Sequence, residues 1–247
     1  MLLALSTWQE IETWLEKSKT IVIPIGSIEQ HGPNGFLGTD GLCPEIIAHH
    51  AESDGDILVA PTFNVGSAQH HLAFPGTITL RPSTMIAAMT DWANSLARHG
   101  FEKLYWLNGH GGNAPSIQAA FAEIHAQRSF DGPNGENRPG LTLKLKNWWE
   151  LPGVFKLCEQ LYPKGHGSHA TASEVSVTYF GYPDHVKDVE MSPKIAPFGA
   201  IGDALQYRAA FPDGRIGSDP SQSNVEDGRK IVEAASAALL SDVAAFH

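Results

Sequence analysis

Short apolar runs alternate with longer stretches of helical hydrophobic spacing along this chain of 247 residues. The stripe of apolar residues over 7–17 predicts a helix, and the β-branched run over 20–25 predicts a buried strand. The same two patterns predict further helices over 42–52, 83–99, 114–127, 170–180 and 225–246, and further strands over 57–60, 103–107 and 141–145. Strands that alternate with helices predict an α/β fold, with a mostly parallel sheet covered on both faces.

Two segments interrupt this alternation. Residues 182–224 are rich in Pro, Gly and Asp and show little periodicity. Ordered segments of this length are usually functional or lie at an interface, so we expect an active-site lid, a contact between subunits or an assembly scaffold. Residues 132–140 predict a surface loop. Because neither a linker nor an internal repeat divides the chain, residues 1–247 are predicted to form a single domain.

The charge balance narrows the classes of partner. Lys and Arg number 17 against 27 Asp and Glu, which gives a net charge of −10. This acidity argues against binding to nucleic-acid backbones and to anionic membranes, and no apolar run approaches the ~18 residues of a membrane helix. Two cysteines are too few for a disulfide framework, and no basic leader is visible, so we expect a cytoplasmic protein. The unusual feature is twelve histidines.

Several of these histidines, with carboxylates, follow predicted strands. Glu29 and His31 come after the first strand, with Asp40 before the next helix, and His110 lies between glycines after the strand over 103–107. A third cluster contains His169 and Glu174. Open α/β sheets bind ligands beyond the carboxyl ends of their strands, so these side chains are expected to converge.

Imidazole and carboxylate ligands in this mixture suit zinc or manganese. Two ions could share the set if a carboxylate such as Asp40 and a hydroxide bridged them, which would supply a nucleophile at neutral pH. The alternative for Asp40 is a helix N-cap within a hydrogen-bonded turn. The alternative for Gly109 to Gly112 is a phosphate cradle, although the Lys-Ser/Thr of a P-loop is missing. Serine nucleophiles are disfavoured, because Ser27 and Ser67 both miss the G-x-S-x-G pattern.

The residues Glu29-Gln30-His31-Gly32-Pro33, continued to Thr39-Asp40, resemble the signature of the creatininase family of amidohydrolases. Further pieces similar to the family follow in the same order along nearly the whole chain: Phe74-Pro75-Gly76-Thr77, Asn108-Gly109-His110-Gly111-Gly112-Asn113, residues 169–176, and Gly217-Ser218-Asp219-Pro220.

The resemblance implies a three-layer α/β/α sandwich, a homohexamer and a dinuclear metal site that hydrolyses non-peptide C–N bonds in cyclic amides or formamides. It implies two divalent ions per chain, zinc first and manganese or iron as alternatives. By position the implied metal ligands are Glu29, His31, Asp40, His110 and Glu174, with Asp40 bridging. His169 matches the histidine that handles protons at the leaving nitrogen. Candidate substrate contacts are Ser67, His71, Gly111 and Trp148.

Some positions depart from the family pattern. Creatinine hydrolases resemble His-Tyr-Glu-Asn where this chain has His110-Gly111-Gly112-Asn113, and Ser168 and Asn34 replace a glutamate and a histidine. These differences predict a small-molecule amide substrate other than creatinine. The leading hypothesis is a metal-dependent amidohydrolase. The second is a noncatalytic, metal-containing protein that binds a small ligand on the same fold.

Overall fold

The computed structural model describes residues 1–130 and 140–246. Its central sheet has three strands, β1 (Thr20–Ile25), β2 (Lys103–Asn108) and β3 (Thr142–Asn147), all parallel and in the order β1-β2-β3. Their last residues, Ile25, Asn108 and Asn147, lie in register. The loops that carry the candidate chemistry therefore leave the sheet at one edge. Most of the loop predicted over 132–140 lies outside the described residues.

The strand predicted over 57–60 is wrong as an element. Only isolated parallel bridges join Val59 to Val22 and to Leu2. Along the outer side of β1, the Val22 N–H donates to the Leu58 carbonyl and the Ala60 N–H donates to the Val22 carbonyl. The next donor on this side of β1 would be Pro24. Proline has no N–H, so the ladder stops there, and Phe63 bonds to the Pro24 carbonyl instead.

Eight α-helices are present in the described part of the chain. They are α1 (Trp8–Lys17), α2 (Thr39–Asp54), α3 (Pro82–Arg98), α4 (Ala114–Phe130), α5 (Val154–Leu161), α6 (Ala172–Gly181), α7 (Ala204–Ala210) and α8 (Val225–Ala244). The sequence pattern did not predict α5 and α7, because helices of two turns are too short for a periodic signal. Helix α3 begins one residue before its predicted start, with Arg81 at the N-cap and Pro82 as its first residue. None of the helices in 1–130 and 140–246 could cross a bilayer.

Alternate residues of the strands face two separate hydrophobic clusters. Ile21, Ile23 and Ile25 pack with residues of α1, α3 and α4. Val22 of β1 and Leu107 of β2 belong to a second cluster with residues of α2, α5, α6 and α8. Because successive strand side chains point to opposite faces, helices cover both sides of the sheet. The predicted α/β/α sandwich is confirmed.

The segment 182–224 folds back over the carboxyl edge of the sheet. Arg215 is fully buried, and its guanidinium donates to the carbonyls of Pro193, Lys194 and Ser218 and to the Asp213 carboxylate. This one side chain fastens several turns of an otherwise irregular segment. Its helix α7 thereby brings Tyr207 to the same edge as the histidines.

Candidate metal centre

Two buried carboxylates form the centre of the site. Glu29 follows β1 and Asp40 lies in the first turn of α2, whose N-cap is Gly38 rather than Asp40. The Ser27 hydroxyl lies 2.7 Å from Glu29 Oε2 and 2.7 Å from Asp40 Oδ2. Among the described residues, every ion-pair partner of these two carboxylates is a histidine. Buried carboxylates without a lysine or arginine need another source of positive charge.

His31 and His110 direct one ring nitrogen each at Asp40. His31 Nδ1 lies 3.1 Å from the Glu29 carbonyl and His110 Nε2 lies 3.0 Å from the Ser67 carbonyl. A carbonyl only accepts hydrogen bonds, so both of these nitrogens carry the ring hydrogen. In each neutral ring the other nitrogen then points a lone pair at Asp40: His31 Nε2 at Oδ1 and His110 Nδ1 at Oδ2, both at 2.9 Å.

The pKa values of Asp40 and the two histidines that face it depend on one another. Burial disfavours the charged imidazole, but Asp40 outweighs it and raises the pKa of His31 to about 10. In the same way Glu29 and Asp40 raise the pKa of His110 to about 9. The two histidines in turn hold the pKa of Asp40 well below its usual range, against the effect of burial. Without an ion, protons fill the positions between nitrogen and oxygen, and a divalent cation competes for the same lone pairs.

The surroundings of the Glu29 carboxylate differ from those of Asp40. Burial raises its pKa to about 8, and its Oε1 atom has no hydrogen-bond partner within the described residues. Three imidazole nitrogens surround this oxygen: His71 Nε2 at 3.2 Å, His110 Nδ1 at 3.4 Å and His169 Nδ1 at 3.7 Å. An unpartnered buried oxygen among imidazole nitrogens fits a cation site.

The candidate ligand atoms form two triplets, and the three atoms of each triplet lie within 4.8 Å of one another. One consists of Glu29, His31 and Asp40, and the other of Glu29, His71 and His169. Glu174 belongs to neither. It is the third residue of α6 and forms a capping box with Thr171, whose backbone N–H it accepts while Thr171 Oγ1 accepts from the Glu174 N–H. Glu174 nevertheless lines the same cavity as Asp40 and His110.

The cavity in front of the carboxylates has a volume of about 560 Å³. Of the candidate substrate contacts, His71, Gly111 and Trp148 line it, as does His169. Ser67 does not line it. The Ser67 hydroxyl faces Met85 Sδ at 3.3 Å, and only its carbonyl serves the site, by orienting His110.

Several site residues were not predicted from the sequence. His70 lines the cavity with its ring stacked on that of His110, at a centroid distance of 6.0 Å and an angle of 15°. Tyr207 and Phe155 form further parts of the wall, and Gln30 lies behind two histidines. The position of Gln30 between Glu29 and His31 was the available signal for that residue. His166 also lines the cavity and bonds to Ser173 Oγ at 2.8 Å.

Comparison with known proteins places this geometry in context. The sequence family described as creatininase, creatinine amidohydrolase, matches residues 4–243. The chain belongs to the creatininase family. The creatinine amidohydrolase of Pseudomonas putida is 26% identical over 190 residues, which cover 73% of this chain and 71% of that protein. The family resemblance predicted from the Glu29 and His110 motifs is confirmed.

Other creatininase-family relatives are hydrolases with different names. The mycofactocin precursor peptide peptidase of Mycobacterium ulcerans (strain Agy99) is 26% identical over 225 residues, which cover 86% of this chain and 79% of that protein. A crystal structure of creatinine amidohydrolase superimposes with a TM-score of 0.84 over 98% of this chain and 96% of that chain, at 24% identity. That structural similarity shows a common fold.

Proposed function

We propose that this creatininase-family protein is a dinuclear metal-dependent hydrolase that cleaves the C–N bond of a neutral amide. The observation that carries the proposal is the position of Asp40. Its two carboxylate oxygens face two different histidines, Oδ1 toward His31 and Oδ2 toward His110, both at 2.9 Å. A carboxylate that faces a nitrogen ligand on each side is suited to bridge two ions.

The remaining ligands divide between the two sides. Glu29 Oε1 lies 3.4 Å from His110 Nδ1, so Glu29 would join His110 and Asp40 on one ion. Glu174 lines the cavity together with Asp40 and its charge acts on His31, so we assign its carboxylate to the ion of His31 and Asp40. We propose zinc as the metal, with manganese or iron as alternatives, because imidazole and carboxylate ligands suit all three.

When bound, the two ions would activate a water molecule at neutral pH and polarise the scissile carbonyl. The chain's own contribution to proton transfer is His169, which lines the cavity with its Nδ1 atom 3.7 Å from Glu29 Oε1. Burial holds the pKa of His169 well below its usual range, so its imidazole is neutral at pH 7. A neutral imidazole can accept a proton at Nδ1 and then donate it to the departing nitrogen.

The cavity walls indicate the class of amide. Among the described residues that line the cavity there is no lysine or arginine, the side chains that usually bind carboxylates and phosphates. Trp148, Trp149 and Phe155 supply aromatic surface, and Gly111 leaves open space beside the metal ligands. We therefore propose an uncharged cyclic amide or formamide with a flat apolar body. The volume of about 560 Å³ lies within the range of small-molecule sites.

Assembly of several copies, a hexamer first, is part of the same proposal. The segment 182–224 exposes large apolar side chains, with Phe198 72% and Leu205 77% exposed. Exposed side chains of this kind on one segment favour a contact between subunits.

Replacement of His169 tests the proposed function. Zinc-loaded protein is screened with cyclic amides, formamides and, because one relative is a peptidase, short peptides. For a hydrolysed compound, His169→Ala is expected to lower turnover by roughly 10²- to 10⁴-fold, the usual worth of general acid–base catalysis, and to leave the metal content unchanged. Full turnover in the variant would remove His169 from the reaction. Protein that holds two metals per chain and hydrolyses none of the compounds would favour the noncatalytic ligand-binding alternative.

A further inference from the structure

The side-chain amide of Gln30 lies between two histidines of the site. Its Oε1 atom accepts the Gly32 N–H at 2.8 Å, which fixes the orientation of the amide and identifies the opposite atom as the NH₂ group. That nitrogen lies 2.9 Å from each of three atoms: His71 Nδ1, His169 Nε2 and the Gly214 carbonyl oxygen. An NH₂ group has only two hydrogens for these three neighbours.

The backbone decides which neighbours receive the hydrogens. The Gly214 carbonyl can only accept, so it takes one of them. His169 Nε2 lies 2.8 Å from the carbonyl oxygen of Gln30 itself, so this nitrogen carries its own hydrogen and donates it there. The second hydrogen of the amide goes to His71 Nδ1 at 2.9 Å, which lies closer than the remaining acceptor, the Tyr207 hydroxyl at 3.5 Å.

The opposite assignment fails at two places. If His169 Nε2 accepted from the amide, its lone pair would also face the Gln30 carbonyl oxygen at 2.8 Å without a hydrogen between them. His71 Nδ1 would then lie 2.9 Å from an NH₂ group with no hydrogen left for it. Each such contact leaves a buried polar group unpaired, which is unfavourable, so the first assignment prevails.

We propose that Gln30 is a positioning residue for two histidines: its side-chain amide holds His71, and its backbone carbonyl holds His169, each with the ring hydrogen on Nε2. Because the two rings meet Glu29 through different atoms, the same tautomer has opposite effects. His71 points its Nε2–H toward Glu29 Oε1 at 3.2 Å, whereas His169 points the lone pair of Nδ1 toward the same oxygen at 3.7 Å.

This assignment distinguishes the two triplets of candidate ligands. A nitrogen that carries hydrogen cannot bind a metal, so His71 is not a ligand. The triplet of Glu29, His71 and His169 is therefore excluded as a metal site. The consequence for catalysis rests on the proposed function: Gln30 keeps the proton-accepting nitrogen of His169 directed at the centre of the site.

Nitrogen NMR of the protein labelled with ¹⁵N-histidine tests the proposal without a substrate. Spectra are recorded on the protein as purified and after loading with zinc, and signals are assigned by their loss in His71→Asn and His169→Asn. We expect both residues to show hydrogen on Nε2 and an unprotonated Nδ1. Zinc shifts the nitrogen signal of an imidazole that binds it, so loading should leave the nitrogen signals of His71 unshifted. Hydrogen on Nδ1 of His71 in the unaltered protein would overturn the proposal.

Gln30→Glu gives the second arm, because it replaces the NH₂ group by an acceptor of the same shape. His71 is expected to move its hydrogen to Nδ1, and turnover of any hydrolysed amide should fall roughly 10- to 100-fold, as for other partners that orient active-site groups. The control Gln69→Glu adds the same charge at an exposed position close to His71 in the sequence. This variant should keep the hydrogen of His71 on Nε2. An unchanged His71 pattern in a folded Gln30→Glu protein would overturn the role of Gln30. A screen without turnover would contradict the hydrolase and leave the NMR result for Gln30 intact.

Discussion

At the scale of single residues, two adjacent glycines have different spatial constraints. A Cβ atom on Gly112 would lie 2.4 Å from His110 Nε2, the atom that donates to the Ser67 carbonyl. A Cβ atom on Gly111 would meet no atom within 4 Å. The small residues beside His110 therefore do different things: Gly112 leaves room for the imidazole, and Gly111 leaves room in the cavity.

Gly112→Ala is predicted to weaken metal binding. The added methyl group would push the His110 ring out of its bond to Ser67 and turn Nδ1 away from Asp40. Loss of such an orienting contact typically lowers metal affinity by roughly 10- to 100-fold. Titration with zinc, followed by calorimetry or competition with a chelator, measures the change. Gly111→Ala is the matched control and should bind zinc as the unaltered protein does. Equal affinities in both variants would show that the space at Gly112 does not position His110.

Residue type and position in the sequence were sufficient to find the centre of the site, but not its surroundings. His31 and His110 stand beside glycines in the loops that follow β1 and β2, where parallel sheets bind ligands, and Asp40 stands beside a glycine at the start of the next helix. His70 and Tyr207 have no such mark. Their roles depend on packing against His110 and His71, which only the tertiary structure determines.

At the scale of elements, two helices begin with the same device for different purposes. Thr7 and Glu10 form a capping box at the exposed start of α1, and Thr171 and Glu174 form one at the start of α6. In α6 the carboxylate of the box also lines the cavity. The cap thus orients a candidate metal ligand as well as starting a helix.

Comparison of Thr171→Ala with Thr7→Ala separates these two purposes. Each variant loses one capping hydrogen bond, so each is expected to lower the free energy of unfolding by about 1 kcal/mol in chemical denaturation. Only Thr171→Ala should also weaken zinc binding, because fraying of the first turn of α6 displaces the backbone that carries Glu174, even though the Thr171 N–H can still donate to its carboxylate. If both variants bind zinc equally well, the cap of α6 has no role in the site.

The elements that sequence patterns predicted are those with long or strongly apolar signals. Strands β1 and β2 and the long helices α1, α3 and α8 fall within a few residues of their predicted bounds. The segment 57–60 has the composition of a strand, yet it fails to form one because its partner β1 contains Pro24. A strand depends on the donors of its neighbour, which the local pattern does not show.

At the scale of the whole molecule, the parallel register gathers residues from distant parts of the sequence. β1 and β2 deliver Glu29 and His110 to one edge, α2 delivers Asp40, and the segment before α6 delivers His169. The segment 182–224 then closes the edge, fastened by the buried Arg215. An irregular backbone held by side-chain hydrogen bonds has no periodic signal. The sequence therefore predicts where this segment lies along the chain, but not how it folds.

The most direct test of the dinuclear site is the number of divalent metal ions per chain. This number is measured by plasma mass spectrometry on purified protein after loading with zinc. We expect two ions per chain. We also expect Asp40→Ala to lose both, because this residue faces His31 on one side and His110 on the other. Metal content in Asp40→Ala equal to that of the unaltered protein, or no bound metal after loading with zinc, manganese and iron in turn, would contradict the dinuclear site.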